Sequence, residues 1–180
     1  MKKLSCYLLI LIAYSCIPYK IAPNIEGEKI IKAKKFKKDL PNFYGFIFED
    51  PKNANEFYNF INAKYNLKHL NVDSNVPISI NNETYYLSFF EREKATETIN
   101  LIPVAIDADR TSKGKNPLLE DIHTSRKGYW YLVLTVTDTK IKDCLNPNYP
   151  QHREIVNHLK KLKEEYFSTS KYLEAYLKMK

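Results

Sequence analysis

Two periods run through the apolar positions of this chain. In Tyr129–Thr137 the even residues Trp130, Leu132, Leu134 and Val136 are apolar, and Tyr129, Tyr131, Thr135 and Thr137 between them are more polar. A period of two predicts a strand with its even face on a core. After Asp50-Pro51, residues Ala54, Phe57, Tyr58, Ile61 and Tyr65 fall on one side of a helix. Asp50 is placed to cap that helix and Pro51 to occupy its first turn. Helical spacing returns from Gln151, where Ile155, Leu159, Leu162 and Tyr166 line one side and Lys160, Lys161, Lys163 and Glu164 face away. Ser168-Thr169-Ser170 leaves two continuations open: one long helix, or a second helix capped by Ser170 and carrying Leu173 and Leu177.

Further strands are predicted at residues 29–35, at Tyr44–Glu49, and at Val76–Ile80 with Glu83–Glu91. The last two flank Asn81-Asn82, a pair that tolerates left-handed backbone and predicts a tight hairpin. Thr98–Ile106 reads as one more strand, with Pro103 marking an edge or a bulge. A helix inserted among hairpin-linked strands, and helix again at the end, predicts an α+β fold. The expected architecture is an antiparallel sheet of about five strands, with the inserted helix and the C-terminal helix or helices packed on one face.

The N-terminus follows neither period. Met1-Lys2-Lys3 is a short positive start, Leu4–Tyr14 is apolar apart from Ser5, and small Ser15 precedes Cys16. This is the layout of a secretory signal. Eleven helical residues cover roughly 16 Å, about half of a hydrocarbon core of about 30 Å, so the segment is too short to span. Ala13-Tyr14-Ser15-Cys16 resembles the lipobox of bacterial lipoproteins. The resemblance implies cleavage before Cys16 and acylation of that cysteine. Three acyl chains would anchor the protein durably in membrane lipid, since each buried CH₂ contributes about 0.8 kcal/mol. The expected organisation is a signal peptide at 1–15, the lipidated Cys16 with a Pro-containing tether at 16–28, and a single globular domain at 29–180.

The anchor reading changes how cysteine and charge are read. Cys6 leaves with the leader and Cys16 is acylated, so Cys144 is the remaining thiol and no internal disulfide can form. Cys144 reads as a buried small apolar residue. Lys2 and Lys3 also leave, reducing the formal charge from +7 to about +5. Lys29, Lys32, Lys34, Lys35, Lys37 and Lys38 concentrate that charge. They read as guards of a solvated edge strand, with contact to anionic head groups as the alternative. No recognition motif points to nucleic acid.

Candidate chemistry is sparse. Asp107–Lys127 is the longest stretch read as irregular, and it holds Asp107, Asp109, Arg110, Glu120, Asp121, His123, Ser125 and Arg126. A calcium loop of the EF-hand type starting at Asp107 requires Gly and Glu where Ser112 and Leu118 stand. Asp121, His123 and Ser125 are the residue types of acyl transfer, but alternate residues on an extended segment point the same way and form no relay alone. His123 and Asp121 are therefore only weak catalytic candidates. His69, His152 and His158 are scattered and read as surface residues. No metal ligands and no cofactor are expected. Tyr129, Tyr131 and Arg126 are the binding candidates: the tyrosines alternate with core positions beside the polar loop ending at Lys127-Gly128, and tyrosine offers both a ring face and a hydroxyl.

Over its whole length the chain is similar to small uncharacterised lipoproteins of Bacteroidota-type bacteria. Leu119–Gly128 and Asp143-Cys144-Leu145-Asn146-Pro147 carry that likeness. It implies no activity. It does imply an outer-membrane anchor, and the absence of an acidic run in Ile17-Pro18-Tyr19-Lys20-Ile21 implies that the domain faces the periplasm. Three functions stay open. The favoured one is a non-catalytic binding or structural protein with a partner in the envelope. The others are a toxin-neutralising, immunity-type lipoprotein and a small hydrolase using the 107–127 loop.

Overall fold

The computed structural model describes residues 16–52, 55–116 and 124–169. They form an α+β fold in two compact units. One comprises residues up to 24 together with 93–129, and the other residues 25–92 and 130–180.

The larger unit is built on a five-stranded antiparallel sheet. Its strands are β2 (Lys29–Lys32), β3 (Tyr44–Glu49), β4 (Val76–Ile80) and the relevant parts of β5 (Glu83–Asn100) and β6 (Thr124–Thr137). Their order is β4-β5-β6-β3-β2. The register pairs Phe46 with Leu134 and Phe48 with Leu132, and it pairs Ile78 with Tyr85 and Val76 with Leu87. One pleat face therefore collects Phe46, Phe48, Leu132, Leu134 and Val136 with Tyr85, Leu87 and Phe89. Two helices cover that face, α2 (Glu56–Tyr65) through Phe57, Phe60 and Ile61, and α4 (His152–Ser168) through Ile155, Leu159, Leu162 and Tyr166. Edge-to-face rings bind the layers, with Phe57 meeting Phe48, Phe89 and Tyr166 at centroid distances of 6.3, 4.9 and 5.0 Å.

The hairpin falls where expected, with Asn81 at φ 52° and Asn82 at φ 66°, both left-handed. Strand β2 is the sheet edge, with Lys29 and Lys32 at its ends. It ends at residue 32 because α1 (Ala33–Phe36) follows at once and turns Ala33 and Phe36 inward. Helix α2 starts later than Asp50-Pro51 suggests, after Asn55 at φ 69°. Asp50 does not cap it: its Oδ1 accepts the Lys52 N–H at 3.0 Å and its Oδ2 the Tyr166 hydroxyl at 2.9 Å. Helix α4 closes at Ser168, where the hydroxyls of Ser168 and Thr169 both donate to the Glu165 carbonyl. Ser170, Leu173 and Leu177 lie outside the described residues, as does Ala54.

In the smaller unit β1 (Cys16–Lys20) pairs antiparallel with Glu97–Asn100 of β5. The segment expected as a tether is thus extended at its start, but in a ladder. Asn100 leads directly into α3 (Leu101–Ser112), which corrects the strand expected at Thr98–Ile106. Pro103 breaks nothing there, because the first turn of a helix needs no N–H from it. Asp107, Asp109 and Arg110 consequently sit on a helix, with Asp109 paired to Lys113 at 2.7 Å. Arg126 and Lys127 belong to β6, so the long irregular stretch expected at 107–127 is interrupted from both ends.

Candidate functional site

The face of the larger sheet opposite α2 and α4 is covered only in part. Ala33 and Phe36 of α1 lie over Gly45 and Tyr131, and Phe36 and Tyr131 meet edge-to-face at 5.3 Å. This corrects the reading of Tyr131 as a surface residue: it is fully buried, because a short helix from the lysine-rich segment closes the face that its parity selects. Trp130 is corrected in the opposite sense. It has the parity of Leu132 and Leu134 but is 49% exposed.

Beyond α1 the same face opens into a trough of about 500 Å³. Parity builds it. Tyr85, Leu87 and Phe89 of β5 enter the core, so Tyr86, Ser88 and Phe90 turn outward; Leu134 and Val136 of β6 do the same for Thr135 and Thr137. Phe43 and Pro41 form a further wall. Hydroxyls thus lie among three aromatic rings, and among the described lining residues Asp138 is the one carboxylate, with no Lys or Arg. A mixture of ring faces with a few polar groups suits recognition more than catalysis.

Asp138 also builds the turn that ends the trough. Its Oδ1 accepts the Lys140 and Lys142 N–H groups at 2.8 and 2.9 Å, and its Oδ2 accepts the Tyr149 hydroxyl at 3.3 Å. Burial works to raise its carboxyl pKa, but these bonds and the nearby Lys142 charge prevail and hold it below the usual range. The Ile141 N–H donates to the Asp138 carbonyl at 3.0 Å. These bonds fix Ile141 at φ 60° with its side chain 73% exposed on the rim. Behind the turn lies a second hollow of about 470 Å³, where Asp143 accepts Lys32 Nζ at 3.2 Å and the Tyr44 N–H at 2.8 Å.

The other chemically notable cluster joins the end of β3 to α4. Burial raises the Asp50 carboxyl above its ordinary range, and burial together with the nearby Asp50 charge does the same for Glu91. Lys52 donates to the Tyr166 carbonyl, and to that of Thr169 at 2.6 Å, with its ammonium 4.2 Å from the Tyr166 ring centre. Asp50 and Lys52 thereby hold the β3–α2 connection against the last turn of α4, a structural role.

Of the residues singled out in the sequence, Tyr129 is half-buried in the smaller unit and Arg126 lies in β6 of that unit. Asp121 and His123 lie outside the described residues. Cys144 is fully buried, and its thiol is pushed up to about 11, chiefly by burial. His69 is exposed and stacks on Tyr58, with ring centres 5.9 Å apart. His152 and His158 are not the surface residues expected: each keeps a buried ring nitrogen without a hydrogen-bond partner. Among the described residues no group of three or more His, Cys, Asp or Glu is arranged to hold a metal ion.

Sequence reasoning missed the trough, although a signal was present. Tyr85-Tyr86 and Phe89-Phe90 put an aromatic residue on both faces of β5. One ring of each pair had to lie away from the helices. No family model matches the chain, and neither the curated proteins nor the solved structures contain a significant match to it.

Proposed function

We propose that this chain is an outer-membrane lipoprotein, anchored through acylated Cys16 and facing the periplasm, whose domain is a non-catalytic binding module. The observation that carries the binding role is the trough: ring faces of Phe43, Tyr86 and Phe90 around the hydroxyls of Ser88, Thr135 and Thr137. Hydroxyls set among half-exposed rings give a partner both apolar area and hydrogen bonds. An immunity-type role calls for a strongly charged concave face to speed capture of a toxin. The trough carries Asp138 alone, which favours the first reading. No helix among the described residues is long and apolar enough to cross a membrane, so the anchor rests on the lipobox-like residues.

The test places a photo-crosslinking amino acid at Tyr86 in the trough or at the exposed Lys161 on α4, in intact cell envelopes. The expected result is a discrete adduct from position 86 and none from position 161. Equal labelling from both positions, or none from either, would sink the binding role. Labelled palmitate should enter the wild-type protein and not Cys16→Ser; label retained by the variant would remove the anchor.

A further inference from the structure

Left-handed backbone among the described residues falls mainly to Asn and Gly. Asn55, Asn66, Asn71, Asn75, Asn81 and Asn82 take positive φ, as do Gly27, Gly114, Lys68 and His69. Asn and Gly are the residues that reach this region at least cost. Ile141, at φ 60°, is the only β-branched residue among the described ones to do so, and a branched Cβ makes the conformation strained. Burial does not explain the choice, since the side chain is 73% exposed. The turn itself is set by the Asp138 carboxylate and by backbone bonds that an Asn at 141 would make equally well. The fold therefore carries a strained isoleucine whose side chain it does not use.

We propose that Ile141 is the anchor of the interface, inserting into an apolar socket of a protein partner whose rim is acidic. This rests on the binding role of the trough and identifies the kind of partner it receives. Two observations specify that partner. Lys140 and Lys142, both exposed, flank Ile141 on the same turn, so the surface around the socket has to be negative. Ile141 also lies on the rim of a trough walled by Phe43, Tyr86 and Phe90, which only a shaped, ridged surface can fill. A lipid surface is flat and would leave it empty. A rigid turn presents its apolar tip with little motion to freeze on binding, which is how a strained residue becomes useful to an interface.

The experiment uses the full chain with two readouts. In the purified protein, Ile141→Asn should raise Tm by a few degrees, because the side chain serves no folded contact and the backbone prefers Asn. In envelopes, a photo-crosslinker at Thr139 should give a protein adduct that Ile141→Asn reduces tenfold or more. Lys140→Glu and Lys142→Glu should each reduce it several-fold, with wild-type labelling weakening as salt rises. The proposal is overturned if Ile141→Asn lowers Tm, if the adduct is indifferent to Ile141→Asn, or if position 139 labels only lipid. Adducts at position 86 that survive Ile141→Asn would leave the trough reading standing and remove this one; loss of all labelling at 86 in the wild type would remove the trough reading itself.

Discussion

The Tyr166 hydroxyl donates to Asp50 Oδ2 at 2.9 Å with both residues buried, tying the end of β3 to the last full turn of α4. Tyr166→Phe would keep the ring among Phe57 and Phe60 but leave a buried carboxylate oxygen unpaired. The expected loss is about 1–3 kcal/mol, measured by urea unfolding. The same contact has a pH signature. Because burial raises the Asp50 pKa in the folded state, protonation favours folding. That contribution is complete below the ordinary carboxylate range and fades as pH rises through the elevated folded value. Asp50→Asn, which cannot ionise, should therefore gain on the wild type between pH 4 and 7. A constant gap across that range would show that Asp50 is not perturbed.

His158 should act in the opposite direction. Burial, and after it the ammonium groups of Lys64 and Lys161, lower its pKa against the opposing pull of Glu165. A depressed folded value means that stability is complete above the usual imidazole range and is lost as pH falls through the folded value. Tm should drop more steeply between pH 7 and 5 in the wild type than in His158→Leu. That variant also removes a buried nitrogen that has no partner, so its Tm at pH 7.5 should be no lower than the wild type's.

Gly45 marks a close approach between β3, β6 and α1. A Cβ there would stand 2.8 Å from Val133 Cγ1 and 3.3 Å from the Ala33 Cβ. Gly45→Ala should destabilise by about 1–3 kcal/mol, through overpacking and not through backbone strain. Gly45→Ala combined with Val133→Ala should recover part of the loss in the same unfolding assay.

Cys144 should resist modification. Its thiol is buried, its pKa is pushed up to about 11, and it donates weakly to the Lys142 carbonyl at 3.3 Å. At pH 8 a thiol reagent should label it in the native protein far more slowly than in 6 M guanidinium. Equal rates in the two conditions would contradict the burial.

The period of two in β6 was legible: Leu132, Leu134 and Val136 are all fully buried, as their alternation required. Its opposite face was not, because Tyr131 is covered by a four-residue helix whose apolar signal is only Ala33 and Phe36 within a lysine run. Helix α4 was readable because its amphipathic stripe is long, and each of the four apolar residues chosen for it lies in the core. Pro103 misled, since proline is compatible both with a strand edge and with the first turn of a helix. The site was the least legible part. A trough arises from outward-facing residues on two strands distant in sequence, and Ile141 stands out only once its backbone angle is known.

The asparagines at left-handed positions have a consequence outside the folded state. Only four glycines serve 180 residues, and among the described residues six asparagines take left-handed backbone. An unfolded asparagine samples fewer backbone states than an unfolded glycine, so less disorder is surrendered when each turn forms. Where the native backbone suits the residue, such restriction is worth on the order of 0.4–1 kcal/mol per position. Asn81→Gly and Asn82→Gly would keep the hairpin's geometry and still weaken it. The turns of this domain draw part of their stability from conformations that the unfolded chain is denied.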